Sequence, residues 1–106
     1  MSILDKDTID FLSEETKTGD IRLTISDHLD WGYPDHLLLL QEKVNSYISC
    51  IESGQLESMC PNFKSKKVII SVRFKYPPSV EAKLFLEQLG VIVNNVKINF
   101  NYKVLV

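Results

Sequence analysis

The stretch VIISVRFKY, residues 68–76, decides the fold. In an extended chain successive side chains point to opposite sides. Val68, Ile70, Val72, Phe74 and Tyr76 therefore share one side, and Ile69, Ser71, Arg73 and Lys75 share the other. The alternation predicts a strand with one apolar face over 68–76, ended by Pro77 and Pro78.

Working outward towards the C-terminus, Ser79 is a good helix N-cap. Ala82, Phe85, Leu86, Leu89 and Val93 then recur at helical spacing, which predicts a helix to about Asn94. Gly90 lies inside that pattern and weakens it by about 1 kcal/mol relative to alanine. The chain closes with a second alternating stretch. There Val96, Ile98, Phe100, Tyr102 and Val104 face one way, and Lys97, Asn99, Asn101 and Lys103 the other.

Towards the N-terminus the strand is preceded by a long, partly irregular connection, GQLESMCPNFKSKK, residues 54–67. Before it Leu37, Leu40, Val44, Tyr47, Ile48 and Ile51 mark the buried stripe of a first helix that stops at Gly54. Gln41, Lys43, Asn45, Ser49 and Glu52 read as its wet face. Pro34 suits an early helical position, and Asp27, Asp30 or Asp35 can accept hydrogen bonds from the free N–H groups of the first turn. Further upstream, IDFLSEE and DIRLTISD flank TKTG and read as a hairpin. In its second arm Ile21, Leu23 and Ile25 alternate with Arg22, Thr24 and Ser26.

The order is ββαβαβ, with one apolar face on every strand. A sheet covered on both sides would instead show continuous apolar runs. The expectation is an α+β two-layer sandwich, a four-stranded sheet with two helices packed on one face. Its strand order is open at this point. One domain accounts for residues 1–106, since the chain is long enough for a modest core of its own.

Composition narrows the class further. Apolar residues make up 44% and charged residues 25%, which argues against wholesale disorder. No apolar run reaches the roughly 18 residues of a membrane span, and the N-terminus lacks the pattern of a secretory signal. Cys50 and Cys60 have neither redox nor zinc-type spacing. A cytoplasmic address follows as the expectation. The net charge of −2 hides an asymmetry: residues 1–40 carry nine acidic and three basic side chains, and residues 41–106 carry five acidic and nine basic ones. Acidic side chains gathered on one face would steer a basic partner.

The chemistry-bearing residues crowd into 27–36, DHLDWGYPDH. Asp27, His28, Asp30, Asp35 and His36 are the right types for a metal-dependent enzyme, but their spacing matches no helical H-x-x-x-H pair and no calcium loop. Ser26, Asp27 and His28 are adjacent, which is not triad geometry, and no G-x-S-x-G elbow is present. Cys50, at a half-apolar helical position, reads as a buried structural thiol. A nucleic-acid-binding module could use the basic sheet face of Arg22, Arg73, Lys75, Lys97 and Lys103. Its aromatics, however, share the core parity and offer no stacking platform. Trp31 and Tyr33 in a Gly/Pro loop among aspartates look like aromatic anchors with an acidic rim. The simpler alternative is that Trp31 plugs the end of the core.

Three segments, LTISDHLDW (23–31), HLLLLQEKVNSYISCIESGQL (36–56) and KKVIISVRFKYPPSVEAKLFLEQ (66–88), resemble a family of small uncharacterised bacterial proteins, a domain of unknown function. The resemblance covers roughly residues 20–90. It implies that Asp27, His28, Asp30 and Trp31 belong to a family signature, and it carries over no activity and no catalytic residue. Cys50 stands where such proteins have an aromatic or small apolar residue, which argues against a cysteine-dependent role.

The expectation for function is a non-enzymatic protein-binding domain without cofactor, most concretely an immunity or antitoxin-like inhibitor that masks a basic toxin domain. Asp27, Asp30, Trp31, Tyr33 and Asp35 would form its contact loop, with the polar sheet face as a second surface for self-association. The metal-dependent enzyme and the nucleic-acid module are the alternatives.

Overall fold

The computed structural model describes residues 11–15, 19–54 and 67–104. Its elements run β1 (Phe11–Glu14), β2 (Ile21–Asp27), α1 (His36–Glu52), β3 (Val68–Phe74), α2 (Val80–Asn95) and β4 (Asn99–Val104). The sheet order is β1-β2-β3-β4. β1 is antiparallel to β2, with Leu12 opposite Leu23, and the ends of the hairpin turn are tied by Gly19 N–H to the Glu15 carbonyl at 2.8 Å. β2, β3 and β4 are mutually parallel. Parallel neighbours need crossovers, and α1 and α2 are those crossovers. Two crossovers of the same hand that step in the same direction leave both helices on one face of the sheet.

The register explains why one face is apolar. Leu23 sits beside Ile70 and Ile25 beside Val72, while Ile70 and Val72 sit beside Phe100 and Tyr102. Leu40, Val44 and Tyr47 from α1 and Leu86, Leu89 and Val93 from α2 close over this row in a single core. The Tyr47 hydroxyl, at the centre, donates to the Thr24 carbonyl at 2.7 Å. α2 begins as its residues dictate: the Ser79 side chain accepts from the Ala82 N–H at 3.1 Å.

Several expectations need correction. Lys43 is not on a wet face but 0% exposed, with its Nζ 5.5 Å from the Tyr47 ring centroid. Its long apolar stem lets it sit three residues after Leu40 on the buried stripe. Pro34 precedes the helix instead of opening it, and the N-cap is Asp35 in the left-handed region with no side-chain cap bond. β3 ends at Phe74, leaving Lys75 and Tyr76 exposed beyond it. β3 is also buried on both sides, because Ile69 and Ser71 on the open face lie between Arg22 and Thr24 of β2 and Asn99 and Asn101 of β4. The Ser71 hydroxyl donates to Asn101 Oδ1 there at 2.6 Å.

The last strand starts later than alternation predicts. Val96 caps α2 and is 42% exposed, and Lys97 takes a positive φ of 63°, so pairing begins only at Asn99. Lys97 is therefore not part of the sheet face. Arg22 is engaged by Glu15 at 3.1 Å, and Phe100 and Tyr102 lie on the helix-covered side. The 54–67 connection, Cys60 included, lies almost wholly outside the described residues.

Gly90 gives a direct test of helix energetics. A Cβ at this position would meet Phe100 Cδ2 at 3.6 Å, an ordinary contact. Gly90→Ala is expected to raise stability by about 1 kcal/mol through helix propensity alone, read from the urea midpoint.

Candidate functional site

Because β2 and β3 are parallel, their outgoing loops 28–35 and 75–79 leave the same end of the sheet. Two bonds tie the loops together: Lys75 N–H donates to the Asp27 carbonyl at 2.9 Å, and the Trp31 indole N–H donates to the Tyr76 carbonyl at 3.3 Å. Asp35 occupies the cap position of α1, but its side chain makes no capping bond. Asp27 Oδ1 accepts from the Leu29 N–H at 3.2 Å and Asp30 Oδ1 from the Gly32 N–H at 2.8 Å. These are two successive Asx-turns, the alternative use of aspartate that bends a chain two residues on. Tyr33 N–H returns to the Asp30 carbonyl at 3.2 Å, and His36 N–H to the Tyr33 carbonyl at 3.3 Å. Asp35 completes the bend with its φ of 59°, a conformation that aspartate tolerates better than most residues.

The centre of this end is a buried pair. His36, the first residue of α1, is 3% exposed, and Asp27, the last of β2, is 1% exposed. His36 Nε2 lies 2.6 Å from Asp27 Oδ2 and 2.8 Å from Oδ1, and Nδ1 lies 2.9 Å from the Asp30 carbonyl oxygen. Burial pushes the Asp27 carboxyl above its ordinary 3.8, against the opposing pull of the His36 hydrogen bond and charge, the Leu29 N–H and the charge of His28. Trp31 lies flat on the His36 ring, with centroids 3.9 Å apart and planes at 16°, and meets Phe74 at 5.4 Å. This is the plug arrangement: Trp31 packs against the core as a partly buried side chain.

The arrangement limits the chemistry. In a catalytic dyad one imidazole nitrogen is oriented by the carboxylate and the other reaches a nucleophile. Here both nitrogens are held internally, so His36 in this conformation has none to offer. Among the described residues no three His, Cys, Asp or Glu side chains gather into a metal-binding group. Cys50 is a buried thiol, and burial pushes it up from its ordinary value, away from the reactive thiolate.

The sequence-derived site residues thus divide. Asp27 faces inward, and Trp31 is half in. Asp30, Tyr33 and Asp35 face solvent, and His28 is exposed beside them. Two residues join them that pattern reading missed, Leu38 and Glu81. With Trp31, Tyr33, Asp35, His36, Leu37 and Ser79 they line an open depression of about 340 Å³ between the starts of the two helices. Tyr33 is 41% and Leu38 51% exposed. Leu38 lies within an unbroken leucine run, where periodicity does not tell an outward leucine from an inward one.

A mixed four-stranded sheet with both helices on one face, and a loop pinned by a buried His–Asp pair at one end, places the protein in the two-layer α+β class. Within that class the chain belongs to DUF6572, a family of unknown function, whose pattern matches residues 1–106. No curated protein and no solved structure matches the chain. Among the described residues no helix is long and apolar enough to cross a membrane.

Proposed function

We propose that this chain is a non-enzymatic protein-binding domain, acting in the cytoplasm as an immunity or antitoxin-like inhibitor that covers a basic toxin domain. One observation carries the reading. Exposed Tyr33 and Leu38 stand with half-buried Trp31 around one depression, and acidic Asp35 and Glu81 line it with them. Aromatic and aliphatic anchors at the centre with charge at the rim are what a protein interface uses: the anchors supply affinity, and the rim steers the encounter. Asp30 adds a further exposed acid. Asp27, buried at the end of β2, holds the loop in place and leaves the contact to the exposed residues.

The test is capture of the partner, followed by titration of the purified partner against the full chain in a calorimeter. A 1:1 complex is expected. Tyr33→Ala, at an exposed position that leaves the fold intact, should weaken it by about 2 kcal/mol. Asp35→Lys should mainly slow association, and the effect should shrink as salt rises. A partner that binds both variants as tightly as the natural chain would overturn the reading.

A further inference from the structure

We propose that the proton shared by Asp27 and His36 is a latch on the 28–35 loop, so that the loop holds its binding face in place only while the pair keeps that proton. The latch rests on the geometry of the pair; its consequence for recognition rests on the protein-binding reading above.

The protons can be counted. The Asp30 carbonyl oxygen only accepts, so at 2.9 Å His36 Nδ1 must carry a hydrogen. The other nitrogen, 2.6 Å from a carboxylate oxygen, also needs one proton between the two atoms. That proton can sit on either partner, giving imidazolium with carboxylate or imidazole with carboxylic acid, and both forms satisfy every contact. When it leaves to solvent, a neutral imidazole retains one N–H for two acceptors. Whichever nitrogen keeps it, the other sets a lone pair against an oxygen, either of Asp27 or of Asp30. Both side chains are buried, so water does not replace the lost bond without movement.

The Asp30 carbonyl belongs to the loop, and the next residue, Trp31, is stacked on the same ring. Loss of the proton therefore frees the segment that places Trp31 and Tyr33. Among the described residues, the ionisable Asp30 and Tyr33 of the loop adjoin the pair, Asp30 through its carbonyl on His36 Nδ1 and Tyr33 in the depression beside the ring. His28 acts on Asp27 from the loop, Asp35 and Glu81 line the depression beside His36, and Lys75 and Tyr76 follow β3, each bonded to the site through its backbone.

Trp31 is the sole tryptophan and reports on the latch directly. Its emission should be followed from about pH 5 to about pH 8, the span in which histidine is the side chain that ordinarily changes charge. With rising pH the full chain is expected to show a reversible shift to redder emission without loss of far-UV circular dichroism. Asp27→Asn should abolish it. In that variant the asparagine oxygen still accepts from the Leu29 N–H, its amide donates to His36 Nε2, and Nδ1–H still serves Asp30, so a neutral imidazole satisfies every contact and there is no proton shared with a carboxylate to lose.

A flat profile in the natural chain, or the same transition in Asp27→Asn, would overturn the latch. Should Asp27→Asn not fold, proton NMR of the natural chain decides instead: a far-downfield, exchange-protected proton must disappear together with the fluorescence transition, and its persistence through the transition overturns the proposal. None of these measurements needs the partner, so failure here leaves the binding reading standing. Conversely, insensitivity of the complex to Tyr33→Ala leaves the latch standing.

Discussion

His36→Ala is expected to cost about 3–5 kcal/mol of stability at neutral pH, the usual penalty when one member of a buried pair is removed and the other is left alone. Against a total of roughly 5–15 kcal/mol for a domain of this kind, that is a large share. Three losses coincide: the Asp27 carboxylate loses its imidazole partner and keeps the Leu29 N–H, the Asp30 carbonyl loses the Nδ1–H, and Trp31 loses the ring on which it stacks. The deficit also has a pH signature. A carboxyl whose folded-state pKa is raised contributes stability that is fully present below its unfolded value, near 3.8, and is lost as pH rises through the folded value. Without His36, which pulls the other way, that rise becomes larger. Urea unfolding of His36→Ala should therefore come closest to the natural chain in acid and fall furthest behind at neutral pH. A pH-independent deficit would mean that packing alone accounts for the loss.

Phe74→Ala is expected to cost a similar amount, about 3–5 kcal/mol, but for a different reason. Phe74 is the last residue of β3, fully buried, with the Tyr102 ring edge-on at 5.8 Å and the Trp31 ring tilted at 5.4 Å. Its removal leaves a cavity where β3, β4 and the loop meet, a place the backbone cannot close because β2 and β4 both hydrogen-bond to β3. The loss should be the same across pH. It should be accompanied by a change in Trp31 emission, since the indole loses part of its floor. A cost below about 1 kcal/mol would show that the loop, and not the core, sets the position of Trp31.

Much of this architecture is readable from residue order. Alternation at Val68, Ile70, Val72 and Phe74 and the cap at Ser79 are local signals, and local geometry is what they report. The departures occur where local signals conflict with tertiary context. Lys43 carries a charge that marks it as wet, yet it lies three residues after Leu40 and four before Tyr47, and position on the stripe prevails over residue type. Val96 continues the apolar parity of β4, but the positive φ of Lys97 resets the chain after it.

The aspartates of 27–35 present the same face in a sequence whether they cap a helix or bend a loop, and here Asp27 and Asp30 bend it. The Asp27–His36 pair was out of reach for a related reason. Both residues are legible as chemistry-bearing, but the eight residues 28–35 of irregular backbone lie between them, and only the folded loop brings the carboxylate onto the ring. The contact surface was legible in part. Tyr33 and Asp35 stand out as an aromatic and an acid in one Gly/Pro loop, whereas Glu81 enters from α2, which pattern reading of one segment does not connect to another.

The most direct measurement is the protonation of His36 itself, by long-range proton–nitrogen NMR of the two imidazoles at neutral pH, with exposed His28 as the internal reference. His36 Nδ1 is expected to carry a proton, with a second, slowly exchanging proton far downfield between Nε2 and Asp27. An unprotonated Nδ1, or a ring exchanging as freely as that of His28, would contradict the pinned loop and with it the placement of Trp31 and Tyr33.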